Sequence, residues 1–259
     1  MKIAIGGAAG SGKDEVAKVL IEKHGFARLG LADPMKRMFA HALDIDIADV
    51  EKLKSGKDIE AYEHFISTRP EFAGLDRVEV ANLVRRALQT LGTEWGRKNV
   101  HTDLWVHRLA RKANLYEKEW FDFAESKKPW SQAPASLKRG VVVTDLRFEN
   151  EMDVLKKAGF YTAYLRTNPE WERIQPPAWK RLGDRAPKLA HRLTRHPYYH
   201  PSEAEGRAMA DQHKFNAILG NWGKTVHGHR HYDHSPDYTA NRIISLARQH
   251  RYMMPLRED

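Results

Sequence analysis

The chain has no cysteine among its 259 residues, which excludes a disulfide framework, a thiolate zinc site and a cysteine nucleophile, and fits a reducing compartment. Long apolar runs are missing too: nothing approaches the roughly 20 residues that cross a bilayer. Met1–Gly6 is a short β-like run that lacks the basic segment, apolar stretch and small-residue cleavage site of a secretory leader. Internal repeats and low-complexity tracts are lacking as well. The expectation from these absences is a soluble cytoplasmic protein with no membrane partner.

What is present is the composition of a packed domain. Hydrophobic residues make up 41% and aromatic residues 10%, enough to offset the entropy of ordering, while 30% charged residues imply a well-solvated surface. At this length one α/β domain covering 1–259 is the default. The formal charge of +9 favours an anionic partner, either nucleic acid or a small phosphorylated substrate held among arginines. Charge alone does not choose between them.

Periodicity gives the elements. Lys2–Gly6 reads as a buried strand, and Asp14–His24 as a helix with Val16, Leu20 and Ile21 on one stripe, closed by Gly25. Phe26–Leu31 reads as a second strand and Ala32–Leu43 as a helix, whereas the charged stretch Asp44–Asp76 resists assignment. Val78–Leu91 and Leu104–Ala113 are two further helices. Gly140–Thr144 is a β-branched run followed by a helix over Asn150–Ala158 and a strand over Tyr161–Arg166, which implies a parallel pair with a crossover. Thr167–His213 is rich in arginine, histidine and proline and reads as a loosely packed, lid-like excursion. Asn216–Gly220 is a last short strand and Tyr238–Gln249 a closing helix.

One motif carries chemistry on its own. Gly7-Ala8-Ala9-Gly10-Ser11-Gly12-Lys13 fits the phosphate-loop pattern G-x-x-x-x-G-K, and it lies between a strand and a helix as that pattern requires. Small residues let successive N–H groups curl around phosphate oxygens, the helix N-terminus adds partial positive charge, and Lys13 adds a full one. The ATP-binding candidates are therefore Gly7, Gly10, Ser11, Gly12, Lys13, Asp14 and Glu15. Asp14 stands where a serine or threonine usually meets magnesium, so a carboxylate replaces the expected hydroxyl; Asp14 and Glu15 equally suit a helix N-terminus.

Five segments then occur in the order found in a known family. SGKDE after the first strand, LADPMKRMFA, RRALQTLGTEWGRKN, DLWVHRLA and TDLRFENEMDVLKKAGFYTAYLRT together resemble bacteriophage deoxynucleoside monophosphate kinases, with a weaker echo at His200-Pro201-Ser202-Glu203. The resemblance spans positions 11 to 166. It implies a three-layer P-loop kinase fold with a parallel sheet of about five strands and helices on both faces, an acceptor-binding helical region near 33–113 and a lid near 167–213. It also implies ATP with magnesium as the donor, a deoxynucleoside monophosphate as acceptor, and a host cytoplasm as location if the chain is phage-encoded.

The acceptor-binding candidates follow from that resemblance and from side-chain chemistry. Arg85 and Arg86 offer planar forks to a phosphate, with a solvated arginine pair as the alternative. Gln89 has the chemistry to reach base edges or a phosphate; Gly92 and Thr93 are acceptor contacts by resemblance, although by sequence they equally read as a helix C-cap. Trp105 is either a ring stacked on the base or a core tryptophan, and Lys36 a phosphate ligand or a surface lysine. Asp145 and Arg147 end a buried strand, the edge at which open parallel sheets place ligands; Asp145 holds magnesium or the acceptor, and Arg147 grips phosphate. Glu151 binds sugar or base, or serves the helix dipole. Lys13, Asp145 and Arg147 are the catalytic set, and Asp14 and Asp145 the magnesium candidates.

Arg181, Arg185, Arg192 and Arg195 fall where a lid would close over the donor. The run His227–His234, with His227, His229, His231 and His234, could chelate zinc or nickel, but a polar loop is the better reading. The expected partners are small-molecule nucleotides, with a homodimer left open. Rival readings are another small-molecule P-loop kinase, a nucleic-acid-binding P-loop protein, disfavoured by the lack of aromatic-basic alternation, and a non-catalytic relic.

Overall fold

The computed structural model describes residues 1–8, 11–166, 201–220 and 235–253. The chain divides into two compact units, Met1–Gly30 together with Leu109–Asp259, and Leu31–Arg108.

The first unit is built on a five-stranded parallel sheet, β1 (Lys2–Gly7), β2 (Phe26–Arg28), β3 (Gly140–Leu146), β4 (Tyr161–Arg166) and β5 (Ala217–Gly220), in the order β2-β3-β1-β4-β5. Ile3, Ala4 and Ile5 are all buried, as are Val141, Val142 and Val143, so these strands read as continuous apolar runs because both faces are covered. On one face Ile3, Ile5, Val142, Ala163 and Leu165 pack against Val16 and Leu20 of α1 (Lys13–His24) and Ile243 of α9 (Pro236–Met253). On the other, the Phe215 ring comes so close to Gly6 that a Cβ there would lie 3.0 Å from it. The α/β class with helices on both faces of a five-stranded parallel sheet is thus the architecture of this unit. β1 is central, and the chain leaves it towards β2 on one side and passes from β3 to β4 across it, which puts the switch point of the topology at the carboxyl ends of β1, β3 and β4, where open parallel sheets place their ligands.

Residues 201–211, read from the sequence as part of a loose excursion, form helix α8 (Pro201–Asp211), with Met209 and Ala210 buried. Polar spacing between those two apolar residues and Phe215 hid the helix. α7 (Glu149–Lys157) joins β3 to β4.

The second unit is helical: α2 (Asp33–Ala42), α3 (Ile47–Ser55), α4 (Ile59–Thr68), α5 (Arg77–Gln89), a π-helical stretch Thr90–Val100, and the start of α6 (Leu104–Glu125), which runs on into the first unit. Its core is Phe39, Val50, Leu53, Phe65, Val80 and Val84. The unassigned stretch Asp44–Asp76 resolves into α3 and α4, each started by an aspartate whose carboxylate accepts a backbone N–H: Asp46 from Ala48 at 2.7 Å and Asp58 from Ala61 at 2.9 Å. Asp76 and Glu79 make a reciprocal capping box at the start of α5. α6 is longer than the expected Leu104–Ala113.

One boundary differs in kind. The helix expected to end at Leu91 continues through Gly92 with wider turns, and His101 closes it by donating its N–H to the Gly96 carbonyl five residues back, at 2.9 Å. Among the described residues no helix is long and apolar enough to cross a membrane.

Candidate functional site

The phosphate loop leaves β1 at the carboxyl edge of the sheet. Gly7 has φ 156°, and a Cβ there would lie 2.5 Å from the Ser11 Oγ and 2.9 Å from the Leu165 carbonyl oxygen, so only glycine fits between the loop and β4. The turn is closed by the Ser11 N–H donating to the Ala8 carbonyl at 3.1 Å, with Ser11 itself buried. Gly12 then takes a left-handed φ of 79° at the N-cap of α1 and provides no capping side chain. The first N–H groups of α1 are therefore not taken by a cap, which suits a phosphate ligand at that helix end. The Lys13 ammonium reaches back over the loop to the Ala8 carbonyl at 3.2 Å.

Asp14 is tied to the neighbouring strand. The Thr144 hydroxyl on β3 donates to its Oδ1 at 3.1 Å, while the Arg28 guanidinium stands 3.8 Å from the same oxygen. Gly6 of β1 lies in register with Leu146 of β3, so Asp145 and Arg147, on either side of Leu146, sit level with the start of the loop. Lys13, Asp14, Asp145 and Arg147 are thereby carried to one edge of one sheet. Asp145 is half-buried and Arg147 exposed. Thr144 and Arg28 were missed by sequence reasoning; the signal for Thr144 was a hydroxyl ending an otherwise apolar strand just before Asp145.

The carboxylates of Asp14 and Asp145 and the Thr144 hydroxyl, which donates to Asp14, are hard oxygen groups. That chemistry fits magnesium, which takes one or two carboxylates and fills its remaining positions with phosphate oxygens and water. Among the described residues no group of three or more histidine, aspartate or glutamate side chains is gathered for a metal.

Glu151 has a different place from the others. It is only 2% exposed, and its Oε2 accepts the backbone N–H groups of Arg147 and Phe148 at 3.1 and 3.2 Å. It therefore fixes the start of α7 and, through the same bonds, the backbone on which Arg147 stands. Glu205 of α8 adds a further bond, accepting from the Glu149 N–H at 3.0 Å. Glu151→Ala is expected to destabilise the protein by about 1–2 kcal/mol, the scale of a lost helix cap, visible as a lower thermal midpoint; an unchanged midpoint would show that α7 holds its start without it.

In the second unit, Arg85, Arg86 and Gln89 are exposed on α5, with Arg85 and Gln89 one helical turn apart, and Arg85 Nη1 donates to Asn82 Oδ1 at 3.2 Å. Trp105 is 5% exposed and its indole Nε1 donates to the Gly92 carbonyl at 2.8 Å, with Trp95 tilted against it at 6.0 Å. Its place is that of a core tryptophan that holds the π-helical stretch. Gly96 lies directly under that ring, since a Cβ there would be 2.4 Å from it, and Gly92 lies against the Met35 sulfur, 2.9 Å from a would-be Cβ. Gly92 thus packs against Met35 inside a continuing helix and is not a C-cap. Thr93 is half-buried on the next position.

Lys36 is held by two acids of its own unit, Glu51 at 2.6 Å and Asp33 at 3.8 Å. Burial alone would raise the Glu51 pKa, but the Lys36 and Lys54 ammonium groups outweigh it and hold the carboxyl below its ordinary value. The Glu51 carboxylate therefore stays ionised beside Lys36 at neutral pH.

Gly10, Arg181, Arg185, Arg192, Arg195, His200 and the run His227–His234 lie outside the described residues.

No protein-family model matches the chain, and no curated protein matches it. Among solved structures, a chain from the PezAT chromosomal toxin–antitoxin system of the human pathogen Streptococcus pneumoniae aligns over 97% of this chain and 86% of its own at 11% identity, with a TM-score of 0.32. A likeness that loose carries no argument about the site, and the strand order above stands on its own.

Proposed function

We propose that the protein transfers the γ-phosphoryl group of ATP to a deoxynucleoside monophosphate. The observation that carries the phosphotransferase reading is the phosphate loop at the end of the central strand, with Asp145 and Arg147 level with it at the end of the adjoining strand. The deoxynucleotide acceptor rests on the five ordered motifs between positions 11 and 166.

In this reading the loop N–H groups and the N-terminus of α1 hold the donor phosphates, and Lys13 leaves the Ala8 carbonyl to meet the terminal ones. An oxygen of the acceptor's phosphate attacks the γ-phosphorus as the bond to the β–γ bridging oxygen breaks, and ADP leaves. The chain's own contribution is positioning and charge: Lys13 and Arg147 offset charge on the transferring group, while Asp14 and Asp145 would hold magnesium. Magnesium supplies Lewis acidity toward the phosphate oxygens. Arg85, Arg86 and Gln89 are the acceptor ligands, Lys36 and Thr93 join them, and Gly92 and Trp105 shape the π-helical stretch that carries Thr93.

A coupled ADP-release assay with ATP and magnesium against each deoxynucleoside and ribonucleoside monophosphate tests the reading, with chromatography of the diphosphate product. Turnover of one or more deoxynucleotides is expected. ATP binding with no turnover on any nucleotide would transfer the reading to another small-molecule acceptor. Arg147→Ala is expected to lower kcat/KM for the acceptor by about 10–100-fold, the loss of one charge-assisted contact of about 1.5–3 kcal/mol, with an unchanged thermal midpoint; unaltered kinetics would remove Arg147 from the site.

A further inference from the structure

One cavity lies away from the phosphate loop, at the other end of the sheet. It has a volume of about 840 Å³ and belongs wholly to the first unit. Lys2, Phe26 and Gly140 line it, the first residues of β1, β2 and β3, so it opens at the amino ends of the strands whose carboxyl ends carry the candidate active site. The six residues of β1 separate the two by about 20 Å.

Two kinds of side chain meet there. Tyr116 and Trp120 are one turn apart on α6, on the face that also carries Ala113 and Glu117, and they line the cavity opposite Phe26. Lys138, Arg139 and Arg248 bring cations from the segment before β3 and from α9. Glu117, the only acid among the described lining residues, is matched by Lys2 at 2.6 Å, and Lys2 also donates to Asn114 at 2.9 Å. Lys138 and Arg248 make no ion pair among the described residues, so the cavity carries an excess of positive charge beside flat aromatic surface.

We propose that this cavity is a second binding site, for a nucleotide: an aromatic heterocycle set against Tyr116 and Trp120 with its phosphates toward Lys138, Arg139 and Arg248. The volume lies in the range of small-molecule pockets, roughly 300–1,000 Å³. Stacking on aromatic faces accepts any base, and the Lys138 and Arg248 cations, without an ion pair among the described residues, suit phosphate. An uncharged aromatic ligand would leave the cations unused, and a simple anion would leave the rings unused. Because this end of the sheet is remote from Lys13, the site is independent of whether the chain proves to be a kinase.

Photolabelling with azido-ATP, read out by peptide mass spectrometry on the full chain, tests it. Label is expected on α6 within residues 113–121, suppressed by excess unlabelled dATP or ATP and much less by inorganic triphosphate. The double variant Lys138→Glu, Arg248→Glu is expected to lose at least tenfold of that labelling while retaining label near the phosphate loop. Should the double variant fail to fold, Trp120→Ala with a thermal melt serves in its place, with the same loss expected. Absence of label on α6 in the wild type, or label that neither competitor nor substitution reduces, would overturn the proposal. Label on α6 with none at the phosphate loop would leave this site standing and remove the donor site instead.

Discussion

Lys13→Ala is expected to lower kcat for phosphoryl transfer about a thousandfold and to leave the fold as it is. Removing one preorganised donor from a site of developing charge costs about 100–1,000-fold in kcat, and Lys13 is a full cation, which places it at the upper end. Stability should hold because the ammonium's hydrogen bond among the described residues is to the Ala8 carbonyl at 3.2 Å, at a half-exposed position, while the apolar residues that fasten α1 to the sheet are Val16, Ala17 and Leu20. Changes at such surface positions are usually within about 0.5 kcal/mol. The measurement is steady-state turnover beside a thermal melt. Full activity would remove the loop from the chemistry, whereas loss of activity with a collapsed midpoint would show that Lys13 has a packing role that the structure does not give it.

The parts of this molecule that could be read from the sequence are those whose signals are local. Lys2–Gly6, the glycine loop, and the strand–helix–strand from Gly140 to Arg166 each announce themselves through runs of β-branched residues, a 3.6-residue stripe or a glycine at a turn, and the sheet uses them nearly as expected. α3 and α4 were hidden although their capping aspartates, Asp46 and Asp58, stand in plain view, because helices of nine and ten residues give too short a stripe among so many charges. The π-helical stretch was hidden for another reason. Its turns are wider than 3.6 residues, so Val100, five positions after Trp95, falls off the α-helical stripe that Leu91 and Trp95 share, and Gly92 looks like a stop.

For the candidate site the divide is similar. The phosphate loop was legible because its chemistry is contiguous, and Asp145 and Arg147 because they follow a strand. What a one-dimensional reading lacks is the partner of each side chain. Glu151 is engaged with the backbone of Arg147 and Phe148, Trp105 with the Gly92 carbonyl, and Lys36 with Glu51, which is fifteen positions away in sequence. Asp14 meets Thr144 only because β3 lies next to β1 in the sheet, an order set by packing of whole strands.

Gly7→Ala is the sharper probe of the loop, because it adds one carbon and removes no charge. That carbon would lie 2.5 Å from the Ser11 Oγ and 2.9 Å from the Leu165 carbonyl oxygen. The hydroxyl can rotate, but the carbonyl belongs to β4, where Leu165 is the register partner of Gly7, so either the loop or the strand end must shift. Overpacking of this kind costs about 1–3 kcal/mol, and each 1.4 kcal/mol is about tenfold in affinity. ATP binding is therefore expected to weaken by about 10–100-fold, measured by calorimetry, with a lowered thermal midpoint. Gly6→Ala is the control: its added carbon meets the Phe215 ring at 3.0 Å, a side chain that can yield, so it should reduce stability with little effect on ATP. If Gly7→Ala bound ATP as tightly as the wild type, the phosphate would not be held against this turn, and the loop would be a tight connection between β1 and α1 with no role in the donor site.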